Sequence, residues 1–167
     1  MTPINFDELF SLGIPNLRKV SENGVRGESL SKKSNKKFLA RMPSLGITTI
    51  LDLRTADHSD RFGDLCRHSG LQYFHFPIDK AQTDVRLIID NLPEMIDLIN
   101  NANFYIACAQ GLHRTDIALA LAFVFNPEKR FRRLCTVISE KGRNAKKISV
   151  KDSTACFKTC RTKTAPA

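Results

Sequence analysis

The sequence predicts one α/β domain, a mostly parallel sheet of four or five strands flanked by helices. Three observations predict it. Over the first two thirds of the chain, strand-like apolar runs are each followed by a run with helical periodicity, the order that lays helices over a parallel sheet. The 167 residues amount to one domain's worth, and a hydrophobic content of 42% can fill one core. The longest purely apolar run, Ile117 to Phe125, has nine residues, against the roughly 20 that a membrane-spanning helix needs.

In chain order, a weak strand precedes Arg26, and Lys33 to Leu45 reads as a helix ended by Gly46, a residue that tolerates a left-handed cap. Ile47 to Leu53 (ITTILDL) is a strand by its β-branched and apolar residues, and Asp57 to Ser69 is a second helix, ended by Gly70. Leu71 to Ile78 (LQYFHFPI) is an aromatic-rich strand. From there Val85, Ile88, Ile89, Leu92, Met95, Ile96 and Ile99 keep helical spacing, with Thr83 or Asp84 as the cap and a kink expected at Pro93. Asn103 to Ala107 (NFYIA) is a strand that runs directly into Cys108. Thr115 to Phe125 is apolar nearly all round, which predicts a helix buried in the middle of the domain and stopped by Asn126-Pro127. Glu128 to Lys141 reads as one more amphipathic helix, with Phe131, Leu134, Cys135 and Ile138 on one side. Beyond Lys147 no period survives. The expected organisation is a folded domain over residues 1–147 and a basic, irregular tail over 148–167.

The net charge of +9 is unevenly placed. Residues 1–127 hold 14 basic and 14 acidic side chains, whereas residues 128–167 hold 12 and 3. The excess is entirely C-terminal, where it is either a solvated face or a contact for polyanions such as RNA, lipid headgroups or acidic proteins. The five cysteines are an odd number, and no charged-then-apolar leader opens MTPINFDELF. A secreted disulfide scaffold is therefore disfavoured, and a soluble cytoplasmic protein with no membrane span is expected.

The chemistry concentrates in Cys108-Ala109-Gln110-Gly111-Leu112-His113-Arg114-Thr115, which follows a strand and opens a helix. Backbone amides can converge there, where the helix dipole favours an anion. Five residues between Cys and Arg let the loop curl round one tetrahedral oxyanion, with the sulfur below it and the guanidinium fork beside it. The same amides and Arg114 would lower the thiol pKa and give a nucleophilic thiolate near neutral pH. With this many cysteines and arginines a Cys-x5-Arg pair is expected by chance roughly 0.4 times, so the pair alone carries little. Adding Gly111, Thr115, the preceding strand and the following helix lowers that to roughly one in several hundred.

This loop resembles that of the cysteine-dependent protein tyrosine phosphatase superfamily, most closely its small bacterial dual-specificity-like members. Val25-Arg26-Gly27-Glu28-Ser29-Leu30 and Leu45-Gly46-Ile47-Thr48-Thr49-Ile50-Leu51-Asp52-Leu53-Arg54 are similar to that family's first strand and its G-I-x-x-[IV]-[IL]-D-L-R strand. The resemblance covers about residues 20–127. It implies a dual-specificity-phosphatase-like fold and hydrolysis of phosphotyrosine or another phosphomonoester, with a phosphorylated protein as one such substrate and neither metal nor cofactor. It also implies that Cys108 attacks phosphorus to form a phosphocysteine and that Arg114 clamps the transferring group. The hydroxyl of Thr115 would then help water release phosphate. Two positions depart from the family pattern. Ala107 stands where the family usually has His, so the thiol is expected toward the upper part of the activated range. Asp116 stands where the family usually has Gly and puts a carboxylate in the first turn of the helix, in competition with phosphate.

A general acid is needed to protonate the leaving oxygen. Asp79 follows the LQYFHFPI strand at close to the family's spacing before the nucleophile, and Asp84 is the alternative, its other reading being a helix cap. Asp52 and Arg54 are expected to brace the phosphate loop or the fold, and Cys66 to be buried rather than to resolve an oxidised Cys108. His58, His68 and His75 show no metal-ligand spacing with cysteine, and Cys156-x3-Cys160 is a single pair, so no metal site is expected. Two alternatives to a phosphomonoesterase stay open: an RNA 5′-triphosphatase whose polymer the basic tail would hold, and a catalytically weak phosphate-binding module, for which Ala107 and Asp116 argue.

Overall fold

The computed structural model describes residues 2–55, 59–78 and 85–126. The helix expected over 128–141 and the tail over 148–167 lie outside them. The described residues belong to one compact unit, Met1–Pro127. Strands β1 (Arg18–Ser21), β2 (Gly24–Glu28), β3 (Thr49–Asp52), β4 (Gln72–His75) and β5 (Phe104–Cys108) form one sheet in the order β1-β2-β5-β3-β4. Only β1 and β2 pair antiparallel; β5 runs parallel between β2 and β3, and β4 parallel on the outside of β3. This is the mostly parallel sheet that the alternating pattern predicts. Helices cover both faces of its central strands, and every residue of β3 and β5 is buried, including the polar Thr49 and Asp52 of β3.

The two-residue period of the strands divides the core. Val25, Ile50, Tyr105 and Ala107 face one side, where Leu9 of α1 (Phe6–Ser11), Leu39 of α2 (Lys36–Leu39) and Phe62 and Cys66 of α3 (Ser59–His68) cover them. Leu51, Leu53, Phe104, Ile106 and Cys108 face the other, under Ile88, Leu92, Met95 and Ile99 of α4 (Val85–Asn101) and Ala118, Leu119 and Ala122 of α5 (His113–Phe125). The i, i+3, i+4, i+7 spacing read from the sequence of α4 is the stripe that it buries. Truncating a side chain such as Leu51, which is fully buried, would cost about 2–5 kcal/mol.

Three expectations need correction. Lys33 to Leu45 is not one helix: α2 is followed by a separate 3-10 turn, Pro43–Leu45. Pro43 has no N–H to continue a helical ladder, and Arg41 and Met42 already bond back three residues, to Phe38 and Leu39. The expected ends hold, since Gly46 and Gly70 both take positive φ, 87° and 77°. The apolar helix is not buried all round either. Resting on β5 and α4 covers two sides of α5, and Val124 and Phe125 at its far end are each 58% exposed. At the N-terminus, α1 and the β1–β2 hairpin replace the single weak strand. Asn5 caps α1 by accepting from the Glu8 amide at 3.2 Å, and Glu22-Asn23 form the hairpin turn, with Gly24 opening β2 opposite Ser21.

Candidate active site

Strand β5 ends at Cys108 and α5 begins at His113, so residues 109–112 form a tight loop at the carboxyl end of the central strand. Gly111 allows the curl. Its φ is +68°, and a Cβ there would lie 2.1 Å from the carbonyl oxygen of Gly27 on β2. Leu112, at the cap position of α5, offers the first-turn amides no side-chain acceptor. These N–H groups stay available at the positive end of the helix dipole.

The Cys108 thiol is buried, which by itself would raise its pKa. The Thr115 hydroxyl and the backbone amides of Gln110, Leu112 and Thr115 outweigh burial and bring it from 9.0 down to about 7. Thr115 acts at close range without strict hydrogen-bond geometry, and its buried Oγ1 has no other partner among the described residues. Arg114 is 92% buried, with Nη1 donating to the carbonyls of Leu53 at 3.3 Å and Ile78 at 3.1 Å. Its Nε and Nη2 edge is thereby left for other acceptors.

Of the other loop residues, Ala109 and Leu112 are half-buried while Gln110 and His113 are exposed. Asp116 is held by Arg26 of β2, whose Nη1 bonds to its Oδ1. The carboxylate is therefore paired, a partner that the sequence gives no sign of. Ala107 points to the opposite face of the sheet from Cys108, into the core beside Val25, Tyr105 and Cys66. Asp79 and Asp84 lie outside the described residues, but the chain leaves its last described residue before Asp79 with the Ile78 carbonyl bonded to Arg114.

Asp52 and Arg54 form a buried pair behind the loop: Arg54 Nε donates to Asp52 Oδ1 at 2.9 Å and Nη2 to Oδ2 at 2.6 Å. Tyr73 Oη donates to the same carboxylate at 2.9 Å, Arg54 Nη1 reaches Ser31 Oγ, and the guanidinium lies 5.0 Å from the centre of the Phe62 ring. Burial works against the Arg54 charge, but its bonds and attraction to Asp52 hold its pKa above the ordinary value. Cys66 lies in this face of the core, and burial with the Asp52 charge pushes its thiol up to about 12. His75 bonds through Nε2 to the Arg54 carbonyl at 2.7 Å. Among the described residues, no three His, Cys, Asp or Glu side chains converge as a metal site would require. No described helix is long and apolar enough to cross a membrane.

The sequence missed Asn16, whose Nδ2 donates to the Gln110 carbonyl at 2.9 Å, and the pairing role of Arg26. The first had a local signal, since Pro15-Asn16 is turn chemistry. The second is a long-range contact without one.

No family model and no curated protein matches the chain in sequence, but solved structures match it in fold. A DUF442 protein from Shewanella putrefaciens CN-32 aligns over 88% of this chain and 92% of its own with TM-score 0.57 and 15% identity. The core catalytic domain of the PP-IP phosphatase SIW14 from S. cerevisiae aligns over 84% of each chain with TM-score 0.52 and 18% identity. Tk-PTP in its active form aligns over 87% of this chain and 95% of its own, with TM-score 0.55 and 12% identity. A five-stranded, mostly parallel sheet flanked by helices, carrying a cysteine loop at the carboxyl end of its central strand, gives this chain the fold of the cysteine-based protein tyrosine and dual-specificity-like phosphatases.

Proposed function

We propose that the chain is a phosphatase that hydrolyses phosphotyrosine or related phosphomonoesters through a phosphocysteine intermediate. One observation carries the reading: a buried thiol at the mouth of a helix, faced by the Thr115 hydroxyl and by the backbone amides of Gln110, Leu112 and Thr115, which lower its pKa. Burial alone would make this sulfur inert, so amides that turn inward in spite of it make a cradle for negative charge. The residues of the cradle are Ala109, Gln110, Gly111, Leu112, His113 and Arg114.

In this reading the Cys108 thiolate attacks phosphorus and the ester oxygen leaves with a proton from Asp79. Asp79 is chosen on its place in the sequence, directly after the LQYFHFPI strand, whose last residue, Ile78, gives its carbonyl to Arg114. Arg114 presents Nε and Nη2 to two non-bridging oxygens while Nη1 stays anchored to the main chain. Water then attacks the phosphocysteine, sulfur departs as thiolate, and Thr115 steadies that thiolate from its buried position. The pairing of Asp116 with Arg26 answers the objection that a carboxylate in the first turn repels phosphate. The basic excess after residue 127 is read as a polyanion contact separate from this chemistry.

The test is turnover of a panel of phosphopeptides, other phosphomonoesters and triphosphate RNA by the wild type, Cys108→Ser and Arg114→Ala. Hydrolysis of phosphomonoesters that is abolished in Cys108→Ser supports the reading. Preference for triphosphate RNA moves it to the alternative substrate, and near wild-type hydrolysis by Cys108→Ser ends it.

A further inference from the structure

Outside the loop itself, the turn Ile14–Leu17 bonds directly to it. The Leu17 amide bonds back to the Ile14 carbonyl at 3.3 Å, with Pro15 and Asn16 between them and Asn16 at φ 57°. Pro fixes the first of these positions, and Asn is one of the few residues that accepts the second. The turn is fastened to β2, since the Glu28 amide donates to the Pro15 carbonyl at 3.0 Å. From this platform the exposed Asn16 side chain reaches across 94 positions of sequence to the Gln110 carbonyl, 2.9 Å away.

In a trans peptide the carbonyl and the following N–H point in opposite directions, and no cis bond occurs among the described residues. Holding the Gln110 carbonyl outward therefore turns the Gly111 N–H inward. Gly111 is also the residue of the loop that is freest to let this peptide rotate, because a positive φ costs it little. The groups that act on the sulfur are the amides of Gln110, Leu112 and Thr115, and Gly111 is not among them. We infer that Asn16 is a positioning residue which, by bonding the Gln110 carbonyl, keeps the Gly111 amide aimed at the bound oxyanion and not at the sulfur.

This inference rests on the phosphatase reading and makes a separable prediction. Asn16→Gly keeps the left-handed backbone and deletes the donor; Asn16→Asp keeps the shape and replaces the donor with a charged acceptor. Inorganic tungstate is the probe, with its affinity measured alongside the pH midpoint of Cys108 alkylation and the unfolding temperature of the full chain. Asn16→Gly should bind tungstate about five- to tenfold more weakly, the worth of one hydrogen bond at 1.4 kcal/mol per decade, and Asn16→Asp more weakly still. The alkylation midpoint and the unfolding temperature should stay near wild type, because the 109–110 peptide that carries the Gln110 N–H is not the one released. Wild-type affinity in both variants overturns the role of Asn16 and leaves the phosphatase reading standing. Weaker binding accompanied by a raised alkylation midpoint and a lowered unfolding temperature also overturns it, since that is general loosening of the loop. A wild type that binds no tungstate overturns the phosphatase reading, and this inference with it.

Discussion

Replacing Gly111 with alanine is the smallest change that should disable the cradle. Two costs add. Alanine at φ +68° costs about 1–2 kcal/mol against a right-handed or extended conformation. Its Cβ would also meet the Gly27 carbonyl oxygen at 2.1 Å and the Glu28 nitrogen at 2.8 Å. The first contact is about 0.9 Å short of the 3.0 Å that real Cβ atoms keep. The obstacle is backbone, and it cannot retreat, because Gly27 pairs with Ala107 in the β2–β5 ladder beside the loop. The loop has to move instead, by nearly 1 Å at the residue next to its centre. Misplacement of that size costs on the order of 100-fold in rate, so kcat/KM for an aryl phosphate should fall about 100-fold. Global stability should fall by about 1–3 kcal/mol. Steady-state kinetics and thermal unfolding measure the two. A folded Gly111→Ala protein with kcat/KM within about threefold of wild type would refute the argument that the added methyl displaces the loop.

The Cys108 pKa gives a second prediction: iodoacetate inactivation should have a pH midpoint near 7, with Cys66, held at about 12, unlabelled at neutral pH; a midpoint near 8.5 would mean an ordinary thiol. Because the folded-state value lies below the 9.0 of the free group, this thiolate stabilises the fold fully above pH 9, and its contribution is lost as pH falls through about 7. Ala107→His should cost about 1–3 kcal/mol by overpacking a site that is 3% exposed, and should leave the alkylation midpoint where it is, since the new ring would sit across the sheet from the sulfur; a downward shift would contradict this. Asp79→Asn should slow hydrolysis of esters with poor leaving groups far more than those with good ones, while Asp84→Asn should chiefly lower stability; the reverse pattern would move the acid role to Asp84.

The parts of this protein that could be read from its sequence are those governed by local or periodic physics. The β-branched and aromatic strands Ile47–Leu53 and Leu71–Ile78, the stripe along α4 and the loop from Cys108 to Thr115 all announce themselves within about fifteen residues, and the structure puts them near their expected places. Lys33 to Leu45 went wrong where helix propensity met Pro43, whose missing N–H ends what the flanking residues would continue. The β1 strand was overlooked because Arg18–Ser21 is too polar and too short to show alternation, and its turn, Glu22-Asn23, contains no glycine. Arg26 and Asp116, like Arg54 and Ser31, meet only after the sheet has assembled, and nothing in their neighbourhoods of sequence encodes the pairing. The reach of Asn16 to the phosphate loop is of the same kind.

The central claim is covalent: phosphorus passes through the sulfur of Cys108. Rapid acid quenching of the enzyme during turnover of an aryl phosphate, followed by proteolysis and mass mapping, tests it directly. A phosphate adduct on the peptide that carries Cys108, present in the wild type and missing in Cys108→Ser, is the predicted result. Hydrolysis at full rate with no adduct on that peptide at any quench time, or an adduct that persists in Cys108→Ser, would contradict it.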